Sequence, residues 1–125
     1  MKKIILFLIF GAFLFSSNAV VGGDMPETPL FYRINIDKEI GATTWRYMQK
    51  GYDEARKGAA AIILRLNTYG GTVVHADSIR TLILNSSMPV YAFIDNNAAS
   101  AGALIAISCD SIYMREGANI GAATV

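Results

Sequence analysis

A nearly continuous apolar run at residues 60–66, interrupted only by Arg65, is the feature that most constrains how this chain can fold. Such a run is typical of a strand buried on both faces, as in a parallel sheet covered by helices. Runs rich in aromatic and β-branched residues at 30–36 and 90–94 also predict strands, and a short strand is predicted at 112–114. The chain therefore contains about four strands suited to one sheet.

The segments between these strands have the spacing of helices. Apolar residues recur at helical intervals within 43–57 and again before Pro89, and residues 101–107 form an apolar run of small side chains. Because strands and helices alternate, we predict an α/β fold with a parallel sheet and right-handed crossover helices. Residues 117–125 are predicted to be a turn rich in glycine and alanine, with no closing helix or strand, so the sheet is expected to be truncated after about four strands.

The first 19 residues have the order of a secretory signal. A short basic start precedes twelve apolar residues, and small residues then stand before a predicted cleavage site after Ala19. As a helix the apolar run would cover roughly 18 Å, short of a hydrocarbon core of ~30 Å, which favours a cleaved signal over an uncleaved anchor. Residues 20–29 are predicted to be a linker, and residues 30–125 are expected to lie outside the cytoplasm.

Composition excludes several classes of function. The formal net charge is +1, and no lysine or arginine run lies in the body of the chain, so no nucleic-acid partner is expected. A single cysteine cannot form an internal disulfide, and the cysteine–histidine spacing of a zinc site is absent. The 125 residues, 53% of them hydrophobic, predict one folded domain rather than a disordered chain.

One glycine-rich loop, residues 67–72, follows the apolar strand and precedes a helix. Ligand sites in open parallel sheets gather at such strand ends. Gly70 and Gly71 would let backbone N–H groups approach a substrate, because no Cβ atom stands in the way. A plain tight turn is the alternative interpretation of the two glycines.

A second loop, residues 95–103, carries Ser100 at the start of a predicted helix, among residues too small to shield it. Serine at such a position most often caps the helix. The functional alternative is a nucleophile, with the N–H groups of Ala101 and Gly71 directed at the developing oxyanion. Either loop alone is a weak signal, whereas the two loops at the ends of consecutive strands together favour a catalytic site.

Four segments of the chain together resemble a known family: residues 66–71, 93–95, 98–103 and 120–123. They are similar to the membrane-bound serine proteases of the NfeD-like group, which belong to the ClpP/crotonase superfamily and are often encoded beside stomatin-like proteins. The resemblance covers about residues 30–125 and implies the N-terminal part of a ClpP-like serine protease domain.

This resemblance implies a Ser-Lys endopeptidase in which Ser100 is the nucleophile. Gly71 and Ala101 carry over as the backbone donors of the oxyanion hole, and Gly70 supports the turn. Such chemistry needs no metal and no organic cofactor. In many relatives a proline precedes the paired glycines; Tyr69 stands there in this chain and is expected to alter the substrate groove.

One departure from the family concerns the general base, which is a lysine a few tens of residues after the nucleophile. All five lysines of this chain precede Ser100, and none matches the motif. A serine hydroxyl without an adjacent proton acceptor is a poor nucleophile. We therefore expect this chain by itself to be inactive and to be a fragment of an active protein.

Other residues that invite a catalytic interpretation have simpler expected roles. His75 and Asp77 are two residues apart on a predicted helix, so their side chains diverge, and a surface or groove-lining role is expected for His75. Cys109 is expected to be a small buried hydrophobic residue. Asp95 and Asp110, at loop boundaries, are expected to cap or shape turns.

The sequence thus predicts an exported, membrane-associated serine endopeptidase that cleaves extended apolar segments, including those of stomatin-like membrane proteins. Membrane association of the full-length protein and a homo-oligomer are also expected. A crotonase-type acyl-thioester enzyme is one alternative, although the predicted export separates it from cytoplasmic acyl-CoA. The other alternative is a non-catalytic module that binds a membrane partner through the same groove.

Overall fold

The computed structural model describes residues 28–123, so the predicted signal at 1–19 and most of the predicted linker at 20–29 lie outside the described residues. Strands and helices alternate in this part of the chain. Their order is β1 (Phe31–Ile36), α1 (Ala42–Ala55), β2 (Ala61–Thr68), α2 (Val73–Leu84), β3 (Val90–Ala99), α3 (Ala101–Ile107), β4 (Ser111–Met114) and β5 (Asn119–Gly121). None of these three helices is long and apolar enough to cross a membrane.

All strand pairs in the sheet are parallel. The strands lie in the order β1-β2-β3-β4, and β5 pairs with β3 beyond the end of β4. The register places Leu64 of β2 between Ile34 of β1 and Ala92 of β3. Because each crossover moves to the next strand, the spatial order of β1 to β4 follows the chain. The predicted α/β fold with a parallel sheet and crossover helices is confirmed.

Two predictions about the ends of strands are wrong. Residues 117–125 do contain a strand, because Asn119–Gly121 forms β5. Three residues that include a glycine show no alternation, so the pattern could not reveal this strand. The predicted loop at 95–103 is also corrected, since β3 continues through Ala99. Pairing with β5 keeps this end of β3 in the sheet, although aspartate and asparagine favour turns.

The core lies on one face of the sheet, where Ile62, Leu64 and Leu66 of β2 are fully buried. Within residues 28–123, the expected burial of this strand on both faces is wrong, because Ile63 and Arg65 on the opposite face are partly exposed. Crossovers of one hand that advance in one direction place their helices on the same side. All three helices contribute to this single core, with side chains that include Met48, Tyr52, Ile79 and Ile105.

Candidate active site

Three segments of the chain meet at the carboxyl edge of the sheet: residues 38–40 after β1, residues 68–72 from the last residue of β2 onward, and residues 99–102 where β3 passes into α3. The first two are joined by a hydrogen bond of 2.9 Å, which the N–H of Ile40 donates to the carbonyl of Gly70. Ligand sites of open parallel sheets lie at this edge. The four residues predicted to form the site are all on the second and third segments.

Ser100 stands in the sharp turn between β3 and α3. Its φ of 52° and ψ of −118° lie outside the regions that residues other than glycine usually adopt, at a cost on the order of 1–3 kcal/mol. The residue is exposed and occupies the N-cap position of α3, yet its side chain makes no capping hydrogen bond to that helix. A strained serine between a strand and a helix is typical of an exposed nucleophile, and its hydroxyl is not used as a cap.

Hydrogen bonds hold the backbone of Ser100 from two sides. Its N–H donates to the carbonyl of Gly121, at the end of β5, over 2.8 Å. Its carbonyl accepts from the N–H groups of Ala103 and Leu104 over 2.9 and 3.2 Å. Ala122, which follows Gly121, is the other non-glycine residue with positive φ in the described chain, at 56°. Backbone strain is therefore concentrated on the two segments that the hydrogen bond between Ser100 and Gly121 joins.

Gly70 brings the two predicted loops together. It is buried and has a φ of 110°, a conformation that strongly favours glycine. A Cβ atom on Gly70 would lie 2.9 Å from Cβ of Ser100, 3.0 Å from the carbonyl oxygen of Ala99 and 3.3 Å from the nitrogen of Ala101. The paired glycines are therefore more than a tight turn, because Gly70 lies against the segment that carries Ser100.

The N–H of Gly71 points away from the segment that follows β1. The carbonyl of Gly70 belongs to the same trans peptide and accepts from Ile40, so the N–H on the other side of that peptide points the opposite way. The N–H of Thr72 donates to the carbonyl of Ile40 over 2.8 Å. This bond completes a parallel bridge between Ile40 and Gly71. Within residues 28–123, neither the N–H of Gly71 nor that of Ala101 donates a hydrogen bond, so both remain available as donors.

Thr68 is a residue that the sequence analysis did not single out. It ends β2, is 2% exposed, and forms hydrogen bonds with the carbonyl of Lys38 after β1 and with the N–H of Gly70 in the glycine turn. The only signal in the sequence is a hydroxyl residue two positions before paired glycines. Because threonine and serine are common beside turns, that signal does not distinguish a site residue from an ordinary turn residue.

His75 and Asp77 on α2 have separate partners. Nδ1 of His75 lies 2.7 Å from Oγ1 of Thr72. The carboxylate of Asp77 accepts hydrogen bonds from Arg80 over 2.9 and 3.0 Å. The predicted divergence of the two side chains is confirmed, and they do not form a histidine–aspartate pair.

Asp95 and Asp110 also have structural partners. The side chain of Asp95 is 15% exposed and pairs with Arg65 and with Arg115, the latter over 3.1 Å. Asp110 accepts a hydrogen bond of 2.7 Å from the N–H of Val90, at the start of β3. Both carboxylates therefore stabilise strands of the sheet. In the part of the chain that the structure describes, no group of three or more His, Cys, Asp or Glu side chains is placed to hold a metal ion.

Cys109 follows α3, and burial, with a smaller contribution from the charge of Asp110, raises the pKa of its thiol to about 12. The thiol therefore stays protonated at neutral pH, and only the thiolate reacts with alkylating agents.

At pH 8 we expect iodoacetamide to modify Cys109 roughly 10³-fold more slowly in the folded protein than in urea, because three pKa units separate the folded and the unfolded thiol. Mass spectrometry over time measures the rate in the folded protein and in urea. Equal rates would contradict the burial of the Cys109 thiol.

A family model described as "NfeD1b, N-terminal domain" matches residues 30–125. The membrane protein NfeD1b of Bacillus subtilis (strain 168) is 35% identical over 118 residues, which are 94% of this chain and 27% of that protein. The chain therefore spans about a quarter of the length of this curated relative.

Two solved structures of 1510-N, a membrane-bound stomatin-specific protease, match with a TM-score of 0.74. A serine-to-alanine mutant is 29% identical, with 78% of this chain and 49% of that chain covered. A lysine-to-alanine mutant in complex with a substrate peptide is 30% identical, with 79% and 47% covered. A mutant of ClpP1 from Listeria monocytogenes is 23% identical, and the match covers 62% of this chain and 46% of that chain. Its TM-score of 0.59 shows that this chain has a ClpP-like fold. The chain spans about half the length of these solved structures.

Proposed function

Because this chain belongs to the family of NfeD1b N-terminal domains, we propose that residues 30–125 are the N-terminal part of a ClpP-like serine protease domain with Ser100 as its nucleophile. One observation carries the proposal: Ser100 is strained and exposed, and Gly70 lies directly against it. The similarity to 1510-N, which was solved as a serine mutant and as a lysine mutant, supports the same class of reaction.

In the proposed reaction, Oγ of Ser100 attacks the carbonyl carbon of a peptide bond and gives its proton to a base. The carbonyl oxygen becomes negative and accepts hydrogen bonds from the N–H groups of Gly71 and Ala101, each of which lowers the barrier by about 3 kcal/mol. The C–N bond then breaks, and the leaving amine takes the proton from the base. Water attacks the acyl-serine in the same way, releases the acid and restores Ser100.

We assign the base to a lysine of the longer protein, since this chain spans 27% of its curated relative and its five lysines all precede Ser100. One of the lysines has another role in the fold, since the ammonium of Lys57 pairs with Glu54 over 2.8 Å at the exposed end of α1. We therefore expect little cleavage by residues 1–125 alone.

The surface beside the glycine turn is suited to an apolar polypeptide. Tyr69 is 81% exposed, and Val73 and Val74 are each 74% exposed. Covering such side chains with an apolar partner is favourable by about 25 cal/mol per Å² of apolar area. We propose extended apolar segments of membrane proteins as substrates, and stomatin-like proteins are the first to test because 1510-N is a stomatin-specific protease.

We also propose that residues 1–19 are a signal, that residues 20–29 link it to the protease domain, and that this domain works outside the cytoplasm in a membrane-associated homo-oligomer. The curated relative is a membrane protein, which supports the membrane context. Fusion of residues 1–29 to alkaline phosphatase tests the export. Phosphatase activity in intact cells supports an extracytoplasmic domain, and its absence in a stably expressed fusion contradicts it.

A fluorophosphonate probe tests the nucleophile directly, because it forms a bond with an activated serine oxygen. In the full-length protein we expect peptide mass spectrometry to find the label on Ser100, and Ser100→Ala to abolish labelling. Ser78→Ala is a matched control on α2, where the Ser78 hydroxyl donates to the carbonyl of Val74 over 2.9 Å, and this variant should be labelled normally. A label on Ser78 or on any other serine would contradict the proposal.

A further inference from the structure

The side chain of Thr68 contacts both the glycine turn and the segment that carries Ser100. We propose that its hydroxyl positions the Gly70–Gly71 peptide, whose N–H, on Gly71, binds the oxyanion. The proposal rests on the function proposed above. Thr68 is a positioning residue in this account, because it acts through the glycine turn. It is one of two buried polar residues in the described chain, the other being Thr44, which offers a natural control.

The hydroxyl of Thr68 joins two of the three segments at the carboxyl edge. Oγ1 donates a hydrogen bond of 2.7 Å to the carbonyl of Lys38, and it accepts one of 3.1 Å from the N–H of Gly70. The first bond anchors residues 38–40, from which the N–H of Ile40 reaches the carbonyl of Gly70. The second bond fixes the peptide that precedes the Gly70–Gly71 peptide. One oxygen thus holds both the peptide that precedes the donor peptide and the segment that donates a hydrogen bond to its carbonyl.

The methyl group of Thr68 reaches the third segment. A Cβ atom on Gly102, in the first turn of α3, would lie 2.7 Å from Cγ2 of Thr68. Gly102 therefore lets this turn, which begins directly after Ser100, pack closely on the methyl group. The same side chain sets the distance between the glycine turn and the segment that carries Ser100.

The hydroxyl and the methyl group have separable roles. Without the hydroxyl, the buried N–H of Gly70 would be left unpaired, which is unfavourable, and the carbonyl of Lys38 would lose its partner, so the two segments would shift to find other partners. An oxyanion donor acts only if it is held at about 2.7–3.1 Å from the oxygen, so a small shift of the peptide weakens it. Loss of the methyl group alone leaves both hydrogen bonds in place.

The experiment compares Thr68→Ser and Thr68→Ala in the full-length protein, because the two variants lack the same methyl group and differ by the hydroxyl. We expect Thr68→Ala to lower kcat by roughly 10–100-fold relative to Thr68→Ser, which is less than the loss of a whole oxyanion donor. KM should stay within about 3-fold, since an interaction made only in the transition state changes kcat. Equal kcat values for the two variants would overturn the proposal.

Thr44→Ala is the matched control, compared with wild type. Thr44 is 8% exposed, and its hydroxyl donates to the carbonyl of Glu39 over 2.6 Å, one residue from the carbonyl that Thr68 binds. Thr44→Ala also removes a buried, hydrogen-bonded hydroxyl, so it should lower thermal stability as well. We expect kcat of Thr44→Ala to remain within about 3-fold of wild type, because this hydroxyl does not bind the glycine turn. A similar fall in kcat in both alanine variants would show a general effect of destabilisation and overturn the proposal.

Hydrogen exchange of the Gly70 amide separates failure of this proposal from failure of the proposed function. If wild type and Ser100→Ala cleave equally, the assignment of Ser100 as the nucleophile fails, but the exchange rate still reports whether the hydroxyl holds the turn. We expect the Gly70 N–H to exchange at least about 10-fold faster in Thr68→Ala than in Thr68→Ser. Equal exchange rates would overturn the positioning role whether or not the protein is a protease.

Discussion

Alanine in place of Ser100 is expected to lower kcat/KM for peptide hydrolysis by the full-length protein by ~10⁴-fold or more, since the attacking oxygen is removed. Substrate binding should change little, because the exposed apolar residues beside the glycine turn remain. The measurement is hydrolysis of a fluorogenic apolar peptide together with the Kd of the same peptide. Cleavage by Ser100→Ala at more than a hundredth of the wild-type rate would show that another residue attacks. Unchanged binding without cleavage in either protein would favour a non-catalytic binding module.

A second substitution at the same position separates catalysis from stability. Ser100→Gly should be as inactive as Ser100→Ala, but it should also be more stable than the alanine variant by about 1 kcal/mol. The reason is the φ of 52°, which glycine adopts freely and alanine does not. The melting temperature of the domain in the two variants measures this difference. If the glycine variant melts at or below the temperature of the alanine variant, the backbone at Ser100 is not strained.

Alanine in place of Gly71 is expected to reduce both stability and activity. Its Cβ atom would lie 2.1 Å from the carbonyl oxygen and 2.6 Å from the nitrogen of Ile40, and both are backbone atoms that can move only with their segment. The bridge between Ile40 and Gly71 would therefore open, at a cost of about 2–4 kcal/mol in the free energy of unfolding. The displaced N–H would no longer meet the oxyanion, so kcat should fall by roughly 10²–10³-fold.

Gly41→Ala is the control for this substitution. Gly41 lies in the same connection between β1 and α1, has a φ of −154°, and has nothing within 4 Å of a Cβ position. Alanine there should cost only about 0.5–1 kcal/mol, because glycine is preferred over alanine at an N-cap and no atom is displaced. Urea titration and peptide hydrolysis of both variants in the full-length protein provide the comparison. A Gly71→Ala variant with wild-type kcat would rule out its N–H as an oxyanion donor.

Most of the fold could be predicted because buried elements leave a periodic pattern in the sequence. The buried face of β2, with Ile62, Leu64 and Leu66, lies in the apolar run, and α3 has the predicted bounds 101–107. Burial on two faces could not be judged from the same run, since an apolar residue such as Ile63 tolerates partial exposure. β5 was missed because its role depends on pairing with β3, which is a long-range contact and leaves no local signal.

The geometry of the candidate site could be predicted only in part. The sequence pattern predicts Gly70 and Ser100 at neighbouring strand ends, and the structure brings these two residues into contact. The strain at Ser100 and the hydrogen bonds of Thr68 leave no such pattern. Both depend on how three segments, distant in the sequence, pack against one another, and no pattern of residue types records that packing.

The hydrogen bond between Ser100 and Gly121 has a consequence for the biosynthesis of the protein. A ribosome that adds about 5–20 residues per second reaches Gly121 roughly 1–4 s after it has added Ser100. During this interval the N–H of Ser100 has no β5 carbonyl to bind, and the turn lacks one of the contacts that offset its strain. Ser100, the proposed nucleophile, therefore reaches its final geometry only after a later part of the chain has been made and has joined the sheet.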